Sequence, residues 1–416
     1  MVIETSEAEE GAQRFKYLFL AFGASTQGYK YMRKVVIIDG THLKGKYTGC
    51  VLTASAQDGN SQIFPIAFGI VDSENDQSWS WFFTKILGVV EDSADLVFVS
   101  DRHSSIYSGI RRVYPTAQHC TCLMHTQLNV QTIFKKKHLL YLISRAATAY
   151  LLEDFYVHFN EIKVVDIACA DYLIRIGLEH WARSQFAGAR YNIMTRNLAE
   201  SRNAALSTSR EYPIVPLIEY VRSMMMGWFS SRRAVSGTNT SSVTPKVADL
   251  LTRNFTVSTG YDVRHIINAE FEVRDEGGQY YRVDLGRKSC SCKEFDTLHI
   301  PCTHVVSAAV HSGLKVETLV AEEYNNAYWA QAYGGSINPA HGAELVAETT
   351  VGDVGVKLLP PGTSRPPGRP RRSRILSAGK LRGWGFARGV GRAQGAVGLT
   401  ITALRARCLY STFPDK

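Results

Sequence analysis

Fifteen residues, "CSCKEFDTLHIPCTH" from Cys290 to His304, hold three of the chain's eight cysteines and two of its twelve histidines, and no other stretch constrains the fold so tightly. Cys290, Cys292, Cys302 and His304 offer three sulfurs and one nitrogen in a C-x-C-x9-C-x-H arrangement, the ligand count that tetrahedral structural zinc requires. The two close pairs suit a hairpin end and a helix start, so one ion would tie both elements of a module too small to hold itself together. Binding free energies of roughly 10–16 kcal/mol are typical of such sites and decide whether the module folds. With all four positions filled by protein, no coordination place is left for water, which makes the ion structural and not catalytic. His299 lies inside the loop as a bystander to a closed site. The bland alternative is four unrelated residues, or thiols open to oxidation.

The remaining cysteines, at 50, 120, 122, 169 and 408, do not form the dense framework of a secreted domain, so metal binding accounts for the cluster better than disulfides do. At 45% hydrophobic and 11% aromatic residues, the 416-residue chain has ample material for at least one large core. No apolar run approaches the roughly 18 residues of a membrane span, and the acidic opening "MVIETSEAEEGAQRF" has no signal-peptide core, so an intracellular location is expected. The net charge of +9 is unevenly placed. Eleven Lys and Arg and no Asp or Glu lie between Arg365 and Arg407, which leaves residues 1–364 at −2. Bulk charge therefore gives no argument for nucleic-acid binding by the ordered part, although a local groove can still be positive.

From Val35 three β-rich runs, "VVIID", "CVLTASAQD" and "IFPIAFGIVD", are separated by short connections and predict a three-stranded meander. The amphipathic "SWSWFFTKILGVVE" predicts a helix, "LVFVSD" a fourth strand, "SSIYSGIRRVYP" a second helix and "AQHCTC" a fifth strand. Strands alternating with helices place the chain in the α/β class. Residues from about Leu123 to Met226 read as helical, and the polar "SGTNTSSVTP" as part of a linker over 236–250. A second module, 251–335, contains the hairpin candidate "FEVRDEGGQYYRVDL", the cysteine cluster and the short helix "HVVSAAVHSG", a zinc-stabilised ββα unit. Residues 1–34 form a lead-in, and 340–416 read as a disordered basic and Gly-rich tail.

Asp39 closes the first predicted strand and Asp101 the fourth, so neighbouring strands would bring two carboxylates to one sheet edge, where divalent cations could bridge them. The competing reading is structural: Asp39 before Gly40 suits a tight turn, and Asp101 suits a helix cap. "HCTCLMH" invites a second zinc site. However, His119, Cys120, Cys122 and His125 within seven residues, partly on opposite strand faces, do not readily close a tetrahedron.

The pattern around the cysteine cluster, with "YYRVDLGRKSCSCKEFD" and "IPCTH", resembles the SWIM zinc finger over residues 270–312. The segments "DGTHLKGKY", "QDGNSQIFPIAFGIVDSENDQSWSWFF", "FVSDRHSSI" and "CLMHTQLN" stand in the order found in Mutator-like (MULE) transposases of plants, a resemblance running from about Phe15 to Arg233. That resemblance implies an RNase H-like catalytic core over 35–235 with a helical insertion at about 124–190 and a triad of acids. The acids map onto Asp39, Asp101 and, in "TRNLAESRN", Glu200. The last motif departs from the family at Arg196 and Arg202; Glu161 and Glu179 remain alternatives, and Asn197 with Glu200 also reads as a capping box. The resemblance further implies active-site support by Cys122 and His125, and two Mg2+ or Mn2+ ions serving DNA strand cleavage and transfer in the nucleus. DNA is the implied partner, with room for protein partners of the SWIM module and for a homo-oligomer, and with no membrane. The family's separate N-terminal DNA-binding domain has no counterpart in the short lead-in.

In the tail, "RPPGRPRRSR" resembles an AT-hook, which would place Arg369, Arg371 and Arg372 in a DNA minor groove; a nuclear-import signal and an inert linker read equally well. Two functional classes follow. One is a transposase of the acid-triad type, and the other a truncated or domesticated relative that binds DNA or protein through its zinc finger without catalysis.

Overall fold

The computed structural model describes residues 1–7, 13–45, 47–194, 206–339 and 359. Glu200, Arg369, Arg371, Arg372 and all of the expected tail except Leu359 lie outside the described residues.

The apolar runs become the strands β3 (Val35–His42), β4 (Cys50–Gln57), β5 (Ile63–Val71), β6 (Val97–Ser100) and β7 (Gln118–Thr121). The lead-in adds two more, β1 (Val2–Glu7) and β2 (Gln13–Leu20), so residues expected to precede the sheet form its edge. The seven strands lie in the order β1-β2-β5-β4-β3-β6-β7. β3, β4 and β5 pair antiparallel as a meander, while β6 pairs parallel to β3 and β7 parallel to β6.

Both faces of this sheet are covered, which is why its strands read as unbroken apolar runs. Alternation along β3 sends Val36 and Ile38 into one core and Val35 and Ile37 into another. The first core is roofed by α2 (Asp76–Ile86), which buries Trp79, Phe82, Phe83 and Ile86 at helical spacing and is capped by Asn75 Oδ1 accepting from Ser78 N at 2.9 Å. Helix α3 (Ser104–Val113) packs on α2 with Gly109 against Phe83, where a Cβ would lie 2.7 Å from the ring.

After β7 the chain runs through α4 (Leu123–Phe134), α5 (His138–Thr148), α6 (Leu152–Val165), α7 (Ile167–Ile176) and the short α8 (Leu178–Trp181). They share a core of their own built around Ile143, Phe155, Phe159, Leu173 and Trp181. The 25-residue α9 (Ile214–Thr238) returns to the sheet, laying Leu217, Val221, Met225 and Phe229 on the first core. Where a linker is expected, α9 runs on to Thr238 and α10 begins at Pro245 and ends at Ser258. Ser and Thr in "SGTNTSSVTP" therefore serve the end of one helix and the start of the next.

The region around the cysteine cluster is a four-stranded antiparallel sheet, β8 (Asp262–Ile267), β9 (Glu270–Arg274), β10 (Tyr280–Asp284) and β11 (Ser289–Cys290), followed by α11 (Glu294–Leu298) and α12 (Thr303–His311). The ββα expectation is thus two strands short, because β8 is exposed along most of its length and carries no alternation to betray it, and β11 is only two residues long. The module is not a separate lobe. Leu298 and Ile300 pack with Val247 and Leu251 of α10 against Val35, Ile37, Val97 and Val99 on the second face of the large sheet.

Beyond the module, α13 (Asn326–Ala332) carries the chain back into the first core, where Trp329 and Tyr333 are buried. They meet Asp58 in the β4–β5 turn. Its Oδ1 accepts from Asn60 N at 3.0 Å and Gln62 N at 2.7 Å, and its Oδ2 from Trp329 Nε1 at 2.9 Å and the Tyr333 hydroxyl at 2.7 Å. Arg232 of α9 extends the network, donating to Tyr333 at 2.9 Å and to the Ile63 carbonyl at 2.6 Å. Asp58→Asn sets an amide N–H2 against two of these donors and should cost about 3 kcal/mol. Denaturant unfolding followed by tryptophan fluorescence measures this, and a loss under about 1 kcal/mol would show that the network is not an anchor.

Candidate functional site

Two groups of side chains have the composition of a chemical site. The first lies at one end of the large sheet. Asp39 sits within β3, fully buried, and Asp101 follows β6. The β3–β6 register pairs Val35 with Val97 and Ile37 with Val99; carried two residues further, it sets Asp39 opposite Asp101 on the same face. The turn reading of Asp39–Gly40 does not hold, since β3 continues to His42 with Thr53 opposite Asp39. Nor does Asp101 cap the first turn of α3; its Oδ1 accepts from the N–H of His103, the residue that precedes the helix, at 3.2 Å.

Sequence reasoning missed a third carboxylate, Glu74, which lies in the segment between β5 and α2. Burial first, then the negative charge of Asp101, push its carboxyl above the usual range; His103 and His42 pull it down, and Asp39 pushes it up. Gly40 makes room for it, because a Cβ there would stand 2.7 Å from Glu74 Oε1. The only hint in the sequence was Gly40 itself, an interruption within a strand that permits close approach.

Glu74, His42 and Cys50 also offer donors within 4.8 Å of one another. Cys50 Sγ and His42 Nδ1 stand 3.0 Å apart, and burial together with the negative Glu74 pushes the Cys50 thiol up to about 12. The thiol is therefore protonated at neutral pH, a hydrogen-bond partner of the imidazole at the sheet edge.

Around Asp101 the support comes from β7. Ser100 Oγ donates to the Asp101 carbonyl at 2.7 Å and stands 2.8 Å from His119 Nε2, so the imidazole donates to the hydroxyl. Burial holds His119 neutral, with a pKa lowered to about 3, and the Tyr107 ring packs on it at 4.2 Å between centroids. Cys120 and Cys122 are buried. Among the described residues, His119, Cys120, Cys122 and His125 do not converge as a metal-holding group.

The second group is Cys290, Cys292, Cys302 and His304, whose donor atoms all lie within 4.8 Å of one another. Cys290 ends β11, Cys292 follows it, Cys302 precedes α12 and His304 stands in that helix's first turn. Sγ of Cys292 and Cys302 are 3.6 Å apart, and His304 Nδ1 is 3.8 Å from the sulfurs of Cys290 and of Cys302. Ligands at about 2.0–2.3 Å from one tetrahedral ion would be separated by roughly these distances. The four residues therefore fit structural zinc.

The surroundings fix this geometry. The rings of Tyr281 and Tyr261 stack with His304 at 3.7 and 5.7 Å between centroids, each inclined by 23°, and Asp296 Oδ2 accepts from the Cys290 N–H at 2.8 Å. Contact with Cys292 pushes the Cys290 thiol up to about 12, and contact with Cys290 raises Cys302. Three sulfurs this close cannot all ionise unless a cation joins them. His299 faces elsewhere, with Nδ1 3.7 Å from Glu323 Oε1 and its ring against Tyr191. One zinc per chain is expected by metal analysis, falling to near zero in Cys302→Ser. Hydrogen exchange should then rise across 261–313 while the α6 amides keep their protection; a Cys302→Ser chain that retains its zinc rules this assignment out.

Residues 35–129, which contain Asp39, Glu74, Asp101 and His119, match a family model described as a MULE transposase domain. Residues 281–313, which contain all four zinc ligands, match one described as a SWIM zinc finger. No curated protein matches the chain. Transposase and zinc-finger domains point to DNA binding in general. The protein thus joins a MULE transposase domain to a C-terminal SWIM zinc finger, a transposase-derived, zinc-binding chain.

Proposed function

We propose that this chain is a DNA strand-cleaving and strand-joining enzyme of the acid-triad type, built on an RNase H-type core and acting on DNA in the nucleus. The observation that carries this reading is the parallel pairing of β3 with β6, whose register, extended two residues beyond Ile37 and Val99, supports a meeting of Asp39 and Asp101 at one end of the two strands. An antiparallel meander whose first strand pairs parallel with a fourth, and the fourth with a fifth, supports the RNase H-type core.

Asp39 and Asp101 supply oxygen donors of the hard type that Mg2+ or Mn2+ prefers, and the charge crowding felt by Glu74 is what a cation would relieve. Two such ions, when bound, would supply the Lewis acidity for in-line attack of water or a DNA hydroxyl on a phosphodiester. The chain's own contribution is placement. Thr53 Oγ1 donates to the Asp39 carbonyl at 3.0 Å, and the His119–Ser100 pair fixes the Asp101 backbone. Glu200, outside the described residues, is the third acid on this reading. The SWIM finger, packed through Leu298 and Ile300 on the face of the sheet that Val35, Ile37, Val97 and Val99 present, is the recognition element for DNA or for a protein partner.

The test is a strand-cleavage assay with Mg2+ or Mn2+ on terminal-repeat DNA. Cutting is expected from the native chain and should fall below detection in Asp101→Ala and Glu200→Ala. Equal absence of cutting in native and substituted chains would sink the enzymatic reading and leave a zinc-finger binding protein.

A further inference from the structure

A cleft of about 580 Å³ opens beside Asp101, between α3 and the end of the helical insertion. One wall is a single face of α3: Ser104, Tyr107, Ser108, Arg111 and Arg112 recur at helical spacing, and Arg102, next to Asp101 in sequence, stands at its head. Ile176 of α7 and His180 of α8 form the other wall. Three guanidinium groups and no carboxylate line the cleft among the described residues. Arg102 donates to the Tyr172 hydroxyl at 2.9 Å and lies over that ring. Arg111 and Arg112 are exposed and make no ion pair among the described residues. His180 is held in place by its Nδ1–H donating to the His119 carbonyl at 3.0 Å, with Glu179 against its other nitrogen at 3.6 Å.

The geometry points to this cleft as a binding track for the phosphodiester backbone of a DNA strand, leading to the Asp39–Asp101 edge. The choice of DNA over another polyanion rests on the proposed function. From Ser104 to Arg112 the track is about 12 Å long at the helical rise, enough for on the order of three phosphates of one strand. Arginine forks and hydroxyls are the donors that phosphate oxygens take, and they carry no sequence preference. The cleft also answers a difficulty of charge. Residues 1–364 are net −2, and acids at a cleavage site repel DNA, so a strand needs a local positive surface to approach them.

The test uses the full chain, a labelled DNA oligonucleotide and fluorescence anisotropy over a series of salt concentrations without divalent metal, so it reads binding whether or not the chain cuts. Arg111→Gln with Arg112→Gln should make log K against log salt shallower by about 1.8 on duplex or about 1.4 on single-stranded DNA. Arg111→Lys with Arg112→Lys should keep the native slope, and a control pair, Lys246→Gln with Arg253→Gln on α10, should leave it unchanged. Circular dichroism melts confirm that the variants fold. An unaltered slope in the Gln pair, an equal loss in the control pair, or a loss seen with RNA but not DNA overturns the assignment. Absence of cutting by a chain that shows the expected slopes would refute the enzymatic reading and leave the DNA track standing.

Discussion

The parallel pairing of β3 with β6 is the constraint on which the rest of the molecule depends. A meander alone has one antiparallel sense; adding β6 beside β3 requires a crossover, supplied by α2. That crossover buries one face of the sheet, and the alternation of Val35 and Ile37 against Val36 and Ile38 obliges something to bury the other. The same pairing brings the carboxyl ends of two strands together, so the element that closes the core also gathers the acids. Fold and chemistry share one register, and a one-residue slip would turn Asp39 away from Asp101.

Much of this was legible in the sequence. The five apolar runs of the core, the Trp79–Phe83 helix and the hairpin-end and helix-start placement of the four zinc ligands follow from periodicity and spacing alone. What was not legible has physical reasons. Glu74 comes to the acids through the fold of the segment after β5, and only the missing Cβ of Gly40 gives it a seat. β8 is solvent-facing on most of its length, so no alternation marks it. β1 and β2 join the far edge of the sheet through long-range pairing that local propensity does not report. The arginines of α3 read as an ordinary solvated face until the insertion supplies an opposite wall.

Sulfur and oxygen donors stand in two separate places in this chain. The sulfur cluster is closed, buried except at Cys292, and braced by tyrosines, and can hold an ion for the life of the fold. The carboxylate edge presents hard donors at the end of a sheet, where exchange with solvent ions is open. Total charge describes neither. A chain whose formal excess of +9 resides in its last fifty residues still carries three arginines in one cleft beside its acids.

The return of the chain to Asp58 after the zinc finger changes what the finger is. It is not appended to the end of a finished domain; both its entry, through α10, and its exit, through α13, are fastened to the large sheet. A stop codon or shifted splice junction between His304 and Trp329 would therefore spare every zinc ligand and every acid of the sheet edge, yet strip the β4–β5 turn of two donors and open the main core. Loss of function from such an allele would be a folding defect, and a gene product that reads as intact by its motifs would be cleared by the cell.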